Sequence, residues 1–265
     1  MNMDQTRIFL LKGAEMKRDM IFFIVLFSLS AAQSMADENW TQLFDGKSLD
    51  GWEVPKSAVA GEVKVERDVI VLNRGTLSTG IKYVKPFPKS NYEIMYQAKR
   101  VDGYDFFGAI TFPVKESFCT FVNGGWGGGV VGLSSVNGYD ASENETTRYY
   151  EFKTGKWYQF RVRVTDEQIA VWCTPLGDDD EDDEDQADEG KQESKKSDER
   201  SKIDSANQKK SDGKKTDEPL VDLKLEDQTI STRIEVNPYR PFGFTSWCTT
   251  GHLRDIKYRK IRPPE

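Results

Sequence analysis

Histidine is almost missing from this 265-residue chain: His252 stands alone, alongside three cysteines, Cys119, Cys173 and Cys248. A His-rich zinc site is thereby excluded, and a Ser-His-Asp arrangement would depend wholly on His252. Helical periodicity is scarce as well. No Gly-Lys-Ser or Gly-Lys-Thr follows the glycine-rich stretch in mid-chain, which excludes a phosphate-binding P-loop. The one long apolar run, "MIFFIVLFSLSAA" from Met20 to Ala32, falls short of the roughly 20 residues that span a bilayer. It follows basic "MKRD" and precedes Ser34-Met35-Ala36, the small-residue pattern of a signal-peptidase site. Residues 1–36 therefore read as a signal peptide that directs export to the periplasm, cell surface or medium. No Cys follows to take a lipid, and no stable membrane span remains after cleavage.

What is abundant is charge, and its place matters more than its sum. The net charge is −7, but Asp178 to Glu218 alone holds 17 acidic and 9 basic residues. The rest of the mature chain is close to neutral, which gives no electrostatic case for nucleic acid or an acidic membrane as partner. The 178–218 segment has no aromatic residue and Ile203 as its one aliphatic side chain larger than Ala. It cannot bury enough surface to order itself and reads as a disordered charged insertion in a hairpin loop. Asp178, Asp180, Asp182, Glu184 and Glu189 match a calcium-loop spacing, but Asp183 stands where that loop's sharp turn demands glycine.

Around the insertion, residues 37–265 form one domain of short strands. "NYEIMYQAKR" sets Tyr92, Ile94, Tyr96 and Ala98 against Glu93, Met95, Gln97 and Lys99, and "WYQFRVRV" repeats the pattern from Trp157 to Val164. Alternation of period two marks a strand with one face buried. Further runs, among them "VKVERDVIVLN", "FFGAITFPV", "FCTFV", "TRIEV" and "LRDIKYRKI", bring the expected total to about eleven strands. Such a series, punctuated by Gly, Asn, Asp and Pro, predicts an all-β antiparallel sandwich or jelly roll. The cysteines lie in strand-like, apolar-flanked stretches, where either one disulfide or three buried thiols would fit. Asn39-Trp40-Thr41 and Asn144-Glu145-Thr146 are glycosylation sequons for a host that uses them.

Two motifs carry most of the remaining information. "LFDGKSLDGW" (Leu43–Trp52) pairs two Asp-Gly turns with Phe44, Leu49 and Trp52 as anchors, so its carboxylates form turns before they form any site. "NGGWGGGVVG" (Asn123–Gly132) contains Gly127-x-Gly129-x-x-Gly132, a dinucleotide pattern that works only where a strand turns into a helix. Here strand and turn follow instead. Trp126, set among glycines, has either a core role or an exposed face suited to stacking on a sugar ring.

"LFDGKSLDGWE", "YEIMYQAKR", "GKWYQFRVRV" with Trp157, and the closing "PFGFTSWCTTGHLRDIKYRKI" with Arg254-Asp255-Ile256 together resemble the 3-keto-disaccharide hydrolase family. Its members are also described as 3-keto-glucoside lyase and hydratase domains. The resemblance implies a concanavalin-A-like jelly roll and cleavage of oxidised sugars. A keto group at C3 acidifies the C2 proton, a base removes it, the C1 substituent departs, and an acid or a divalent metal stabilises the enolate. The chain departs from the family's pattern at "DFFGAI", at "FCTFVNGGWGGG", and at Trp247-Cys248, where a His-Gly pair is usual.

Asp105 and Glu93 are the expected acid and base, and Tyr104, Asn123, Trp126, Tyr139 and Trp247 the expected sugar contacts. The expected partner is a carbohydrate. No metal-ligand set is assigned and no cofactor is required by the sequence, although a divalent metal is compatible with the family's chemistry. Three readings follow: a (3-keto-)glycoside hydrolase or lyase, a non-catalytic carbohydrate-binding module, and a surface or matrix protein that uses the charged insertion.

Overall fold

The structure is a computed structural model that describes residues 40–177 and 218–262. The expected signal segment, and all but the last residue of the expected insertion with its calcium-loop spacing, lie outside the described residues. Fifteen strands are present among those described: β1 (Thr41–Gln42), β2 (Trp52–Glu53), β3 (Val63–Glu66), β4 (Val69–Leu72), β5 (Ser78–Tyr83), β6 (Tyr92–Gly103), β7 (Ala109–Val114) and β8 (Ser117–Gly125), followed by β9 (Val130–Ser134), β10 (Arg148–Tyr149), β11 (Trp157–Val164), β12 (Gln168–Pro175), β13 (Val221–Lys224), β14 (Gly243–Trp247) and β15 (Thr249–Lys260). They form two antiparallel sheets. One has the order β13-β12-β11-β6-β15-β4-β3 with β1 also on β15, and the other runs β10-β9-β8-β7-β14-β5-β2. The expected sandwich is the observed one, and among the described residues no helix is long and apolar enough to cross a membrane.

The core forms where the alternation said it would. Tyr92, Ile94, Tyr96 and Ala98 of β6 are fully buried, as are Phe160, Val162 and Val164 of β11, with Tyr158 nearly so. Tyr96 stacks on Phe160 at 5.2 Å between centroids and meets Phe244 of the opposite sheet edge-on at 4.9 Å. Burying such rings supplies the dominant stabilising term, and edge-on pairs add to it. The opening double turn is tied to the same core. Asp45 Oδ1 accepts the Lys47 and Ser48 N–H groups at 2.8 Å each, and the Trp52 indole donates to the Leu43 carbonyl at 2.8 Å.

Two segments differ from the sequence reading. "VKVERDVIVLN" is a hairpin and not one strand, because Arg67 and Asp68 both take left-handed backbone, φ 46° and 64°, the signature of a tight two-residue turn. "TRIEV" is not a strand at all. Ile234–Tyr239 forms a short 3₁₀ turn that contains Pro238, which has no N–H for a strand ladder. Val236 and Tyr239, three residues apart, share its buried side. The three cysteines are unbonded to one another, and Cys119 lies fully buried, where desolvation pushes its thiol up to about 12.

Glu93 is a structural anchor of the larger sheet. Its side chain is wholly buried; Oε1 accepts from Arg163 Nε at 2.7 Å and Oε2 from Arg259 Nε at 2.8 Å. Burial would raise its pKa, but the hydrogen bonds from Arg163 and Arg259 outweigh it and hold the carboxyl below its ordinary value. A depressed carboxylate stabilises the fold above its unfolded pKa, and that stabilisation is lost as pH falls through the lower folded value. Glu93→Gln should therefore cost about 2 kcal/mol in denaturant unfolding at neutral pH, since two half-exposed guanidinium groups lose their buried anion. The same variant should show a flatter acid limb than the parent when unfolding is followed below the usual glutamate range.

Candidate functional site

The outward-facing side chains of the smaller sheet build the floor of a cavity. Register pairs Ser134 with Thr120 and Thr120 with Thr111 across β9, β8 and β7, while their neighbours Leu133, Phe121 and Ile110 point into the core. Thr111 and Thr120 share a hydroxyl hydrogen bond of 2.9 Å. Thr111, Thr120 and Thr245 are buried although they face away from the core, because the segment around the 3₁₀ turn lies across this face. A Cβ at Gly80 would come within 2.7 Å of the Tyr239 ring, so β5 takes that ring where it has no side chain, and the Tyr239 hydroxyl meets the Ser78 hydroxyl at 3.4 Å. What stays open is a cavity of about 270 Å³, floored by Thr120, Val122 and Ser134. Its walls are Asp105, Phe106, Trp126 and Trp247 on one side and Arg233, Glu235 and Val236 on the other.

Asp105 is the chemically distinctive group. Oδ1 accepts the Phe106 N–H at 2.8 Å and Oδ2 the Gly127 N–H at 3.4 Å. Burial raises its pKa, and bonds from the Phe106, Gly127 and Trp126 N–H groups pull it back without cancelling the rise. Beneath it, Arg100 is buried over the Phe107 ring and donates from Nη2 to the Phe152 carbonyl. Gly128, at φ 106°, passes so close that a Cβ there would lie 2.9 Å from Arg100 Nη1. The glycine run is thus shaped by the arginine under it, and it lifts Trp126, 45 % exposed at φ 48°, over the cavity.

On the facing wall, Arg233 forms ion pairs with both Asp140 and Glu235. Its hydrogen bond holds Glu235 below the ordinary glutamate value. Asp140 is itself fixed by hydroxyl donors, Ser134 at 3.1 Å and Ser135 at 3.3 Å. Two carboxyls of one cavity are therefore displaced in opposite directions, Asp105 up and Glu235 down, the pattern that separates proton-carrying from charge-holding roles. The loop behind this wall depends on Asn144, whose amide donates to the carbonyls of Leu133, Tyr139 and Asp140 at 2.8, 3.0 and 2.7 Å.

Of the residues expected from sequence, the cavity brings together Asp105, Trp126 and Trp247. Glu93 is elsewhere: it starts β6 on the outer face of the other sheet, while Asp105 follows that strand's far end, roughly 30 Å away at about 3.3 Å per residue. Asn123 is buried below the cavity with its amide on the Phe107 carbonyl at 2.9 Å. Tyr104 and Tyr139 are well exposed, Tyr104 beneath Arg74 and Tyr139 in the turn before Asp140. Phe106, Thr120, Ser134, Arg233, Glu235 and Val236 went unnoticed in the sequence. Only Pro238 signalled that the segment of Arg233, Glu235 and Val236 was not a strand. His252 lies on the other sheet beside Trp157, its pKa lowered to about 4 by desolvation and by Lys99. Among the described residues, no group of three or more His, Cys, Asp or Glu converges as metal ligands.

The cavity thus sets two indoles, a hydroxyl floor and flanking carboxyls on the outer face of an antiparallel sheet. The chain belongs to the 3-keto-α-glucoside-1,2-lyase-like domain family, which it matches over residues 39–193. That range takes in Asp105 and Trp126 but ends before the strap and β15. No curated protein matches the chain. Similar solved structures include a provisionally assigned glycosyl hydrolase from Parabacteroides distasonis ATCC 8503 (13 % identity, 85 % of this chain and 95 % of that one, TM-score 0.44). The carbohydrate binding module CBM66 from Bacillus subtilis is another (11 %, 79 % and 96 %, TM-score 0.42). The Ca²⁺/Man3GlcNAc-bound exoplasmic/lumenal domain of VIP36 is a third (10 %, 86 % and 91 %, TM-score 0.46).

The loop behind the cavity offers a direct check. Asn144→Ala removes a donor from three carbonyls at once and should lower unfolding free energy by about 2 kcal/mol in chemical denaturation. An unchanged midpoint would mean that the loop is held by something other than this amide.

Proposed function

We propose that the protein is exported after removal of residues 1–36 and that its cavity binds a glycoside ring between Trp126 and Trp247. In this reading a 3-keto-glycoside undergoes elimination there, with Asp105 as base. The observation that carries it is the placement of Asp105: a half-buried carboxylate with a raised pKa in the same cavity as two indoles. The C2 proton passes to the Asp105 carboxylate, the C1–C2 double bond forms, and the C1–O bond breaks. The departing oxygen takes a proton, which Asp105 can return. Negative charge that gathers on the C3 oxygen needs a cation in the cavity wall, and Arg233 is the one present there.

A second reading is also supported by a specific contact. Both Asp105 oxygens accept backbone N–H groups, as an aspartate does when its work is to hold a loop. The cavity would then belong to a binding module without turnover.

Assay of the mature chain on 3-keto-glucosides and on plain glycosides separates the two. Turnover is expected with the keto substrate, and Asp105→Asn should lower kcat by about 10²-fold or more. A base must be ionised, so kcat/KM should fall as pH drops through a value above the ordinary aspartate range. If the parent turns over nothing while Trp126→Ala weakens glycan binding roughly tenfold, the module reading stands. Full activity in Asp105→Asn would remove the catalytic assignment.

A further inference from the structure

The near-neutral sum of charges in the folded part conceals a strongly basic face. Register across the centre of the larger sheet places four residues of each of β11, β6 and β15 on its outer side: Trp157, Gln159, Arg161 and Arg163; Lys99, Gln97, Met95 and Glu93; His252, Arg254, Lys257 and Arg259. Six of the twelve are basic and one is acidic. The acidic one, Glu93, is already neutralised by Arg163 and Arg259, and Lys257 is paired with Asp255 at the strand's irregular point.

All six cations are stacked on indoles, two to each ring. Lys99 and Arg254 lie 4.9 and 4.1 Å from Trp157, Arg161 and Arg163 lie 4.0 and 5.2 Å from Trp172, and Lys257 and Arg259 lie 5.9 and 4.7 Å from Trp40. Stacking fixes the long side chains in place, so they lose little freedom when a ligand arrives. Guanidinium groups also present forked donors suited to carboxylate and sulfate. At the Glu93 end the face deepens into a hollow of about 360 Å³ lined by Arg163, Arg259 and Arg262 together with Glu93 and Glu167.

We infer that this face is a second carbohydrate-binding surface, specific for an anionic polysaccharide bearing carboxylate or sulfate groups. The basic patch spans about 20 Å along the strand direction, from Lys99, opposite Trp157, to Arg163, at about 3.3 Å per residue, long enough to engage several sugar units at once. The ring faces are covered by cations, which removes the open stacking platforms that single-stranded nucleic acids use. The twelve positions include no large aliphatic group that would insert into a bilayer. The surface lies on the opposite sheet from the cavity and does not depend on what the cavity does.

The test is binding of the full chain to dextran sulfate and polygalacturonate, with neutral dextran as control, at low and high salt. The expected result is binding to both anionic polymers, none to dextran, and weakening with salt as screening grows. Arg161→Glu/Lys257→Glu should lower the affinity at least about tenfold, and Asp105→Asn should leave it unchanged. If the charge-reversed pair fails to fold, Arg161→Gln/Lys257→Gln gives the same reading with a smaller loss. Failure to bind, equal binding to dextran, or insensitivity to both double variants would overturn the inference. So would equally tight binding of DNA or of anionic lipid vesicles, which would show a general polyanion surface and not a glycan site.

Discussion

The aromatic seam between the two sheets is the constraint from which the rest follows. Tyr96, Phe160 and Phe244 meet across it, and every strand that contributes to it spends alternate residues there. The residues in between are committed to one of two outer faces before any function is considered. Because a slip of one residue would exchange core for surface along a whole strand, the seam fixes which hydroxyls floor the cavity and which arginines line the opposite side.

The two outer faces solve the same geometric problem differently. The smaller sheet covers much of its outer side with the strap, leaving a half-open hollow whose polar groups are few and held: Asp105 by backbone donors, Arg233 by two carboxylates. The larger sheet leaves its outer side open and covers its tryptophans with their own neighbours' charged side chains. On the first face desolvation raises Asp105 while the hydrogen bond from Arg233 lowers Glu235, and the two part in acidity. On the second, solvent remains close, and the effect of each charge depends on how many are aligned.

Much of this was legible in the strands and little of it at the irregular points. The period-two stretches at Tyr92–Ala98 and Tyr158–Val164 told which residues enter the core, and the double Asp-Gly motif told where the chain joins it. Trp126 stood out because a tryptophan among glycines is an unusual choice, whereas Asp105 was one of several loop carboxylates, and its place beside the glycine loop depends on a contact across 22 residues of sequence. The strap was missed because "TRIEV" has the composition of a strand, and only Pro238, further on, argues otherwise. Glu93 looked like a catalytic candidate because its arginine partners, Arg163 and Arg259, come from strands far away in sequence. The basic face was hidden for a further reason. Strict alternation along "LRDIKYRKI" would send Lys257 and Arg259 inward, but Asp255, at φ 49°, breaks the register between Arg254 and Lys257, so that Ile256 enters the core and the basic residues stay outside.

The close approach of Tyr239 to Gly80 carries a consequence for how the family can diversify. The Tyr239 ring lies over the bare backbone of Gly80 while its hydroxyl meets the Ser78 hydroxyl at 3.4 Å, and Arg240 lies over the Phe118 ring, so the strap is seated by fit at one point and by side chains at two others. A lineage that keeps these seats can vary the strap residues between them and obtain a differently proportioned hollow on the same scaffold. Position 80 admits no such change: a Cβ there would meet the Phe244 carbonyl oxygen at 2.2 Å and the Tyr239 ring at 2.7 Å, so a larger residue would disturb β14 as well as the strap.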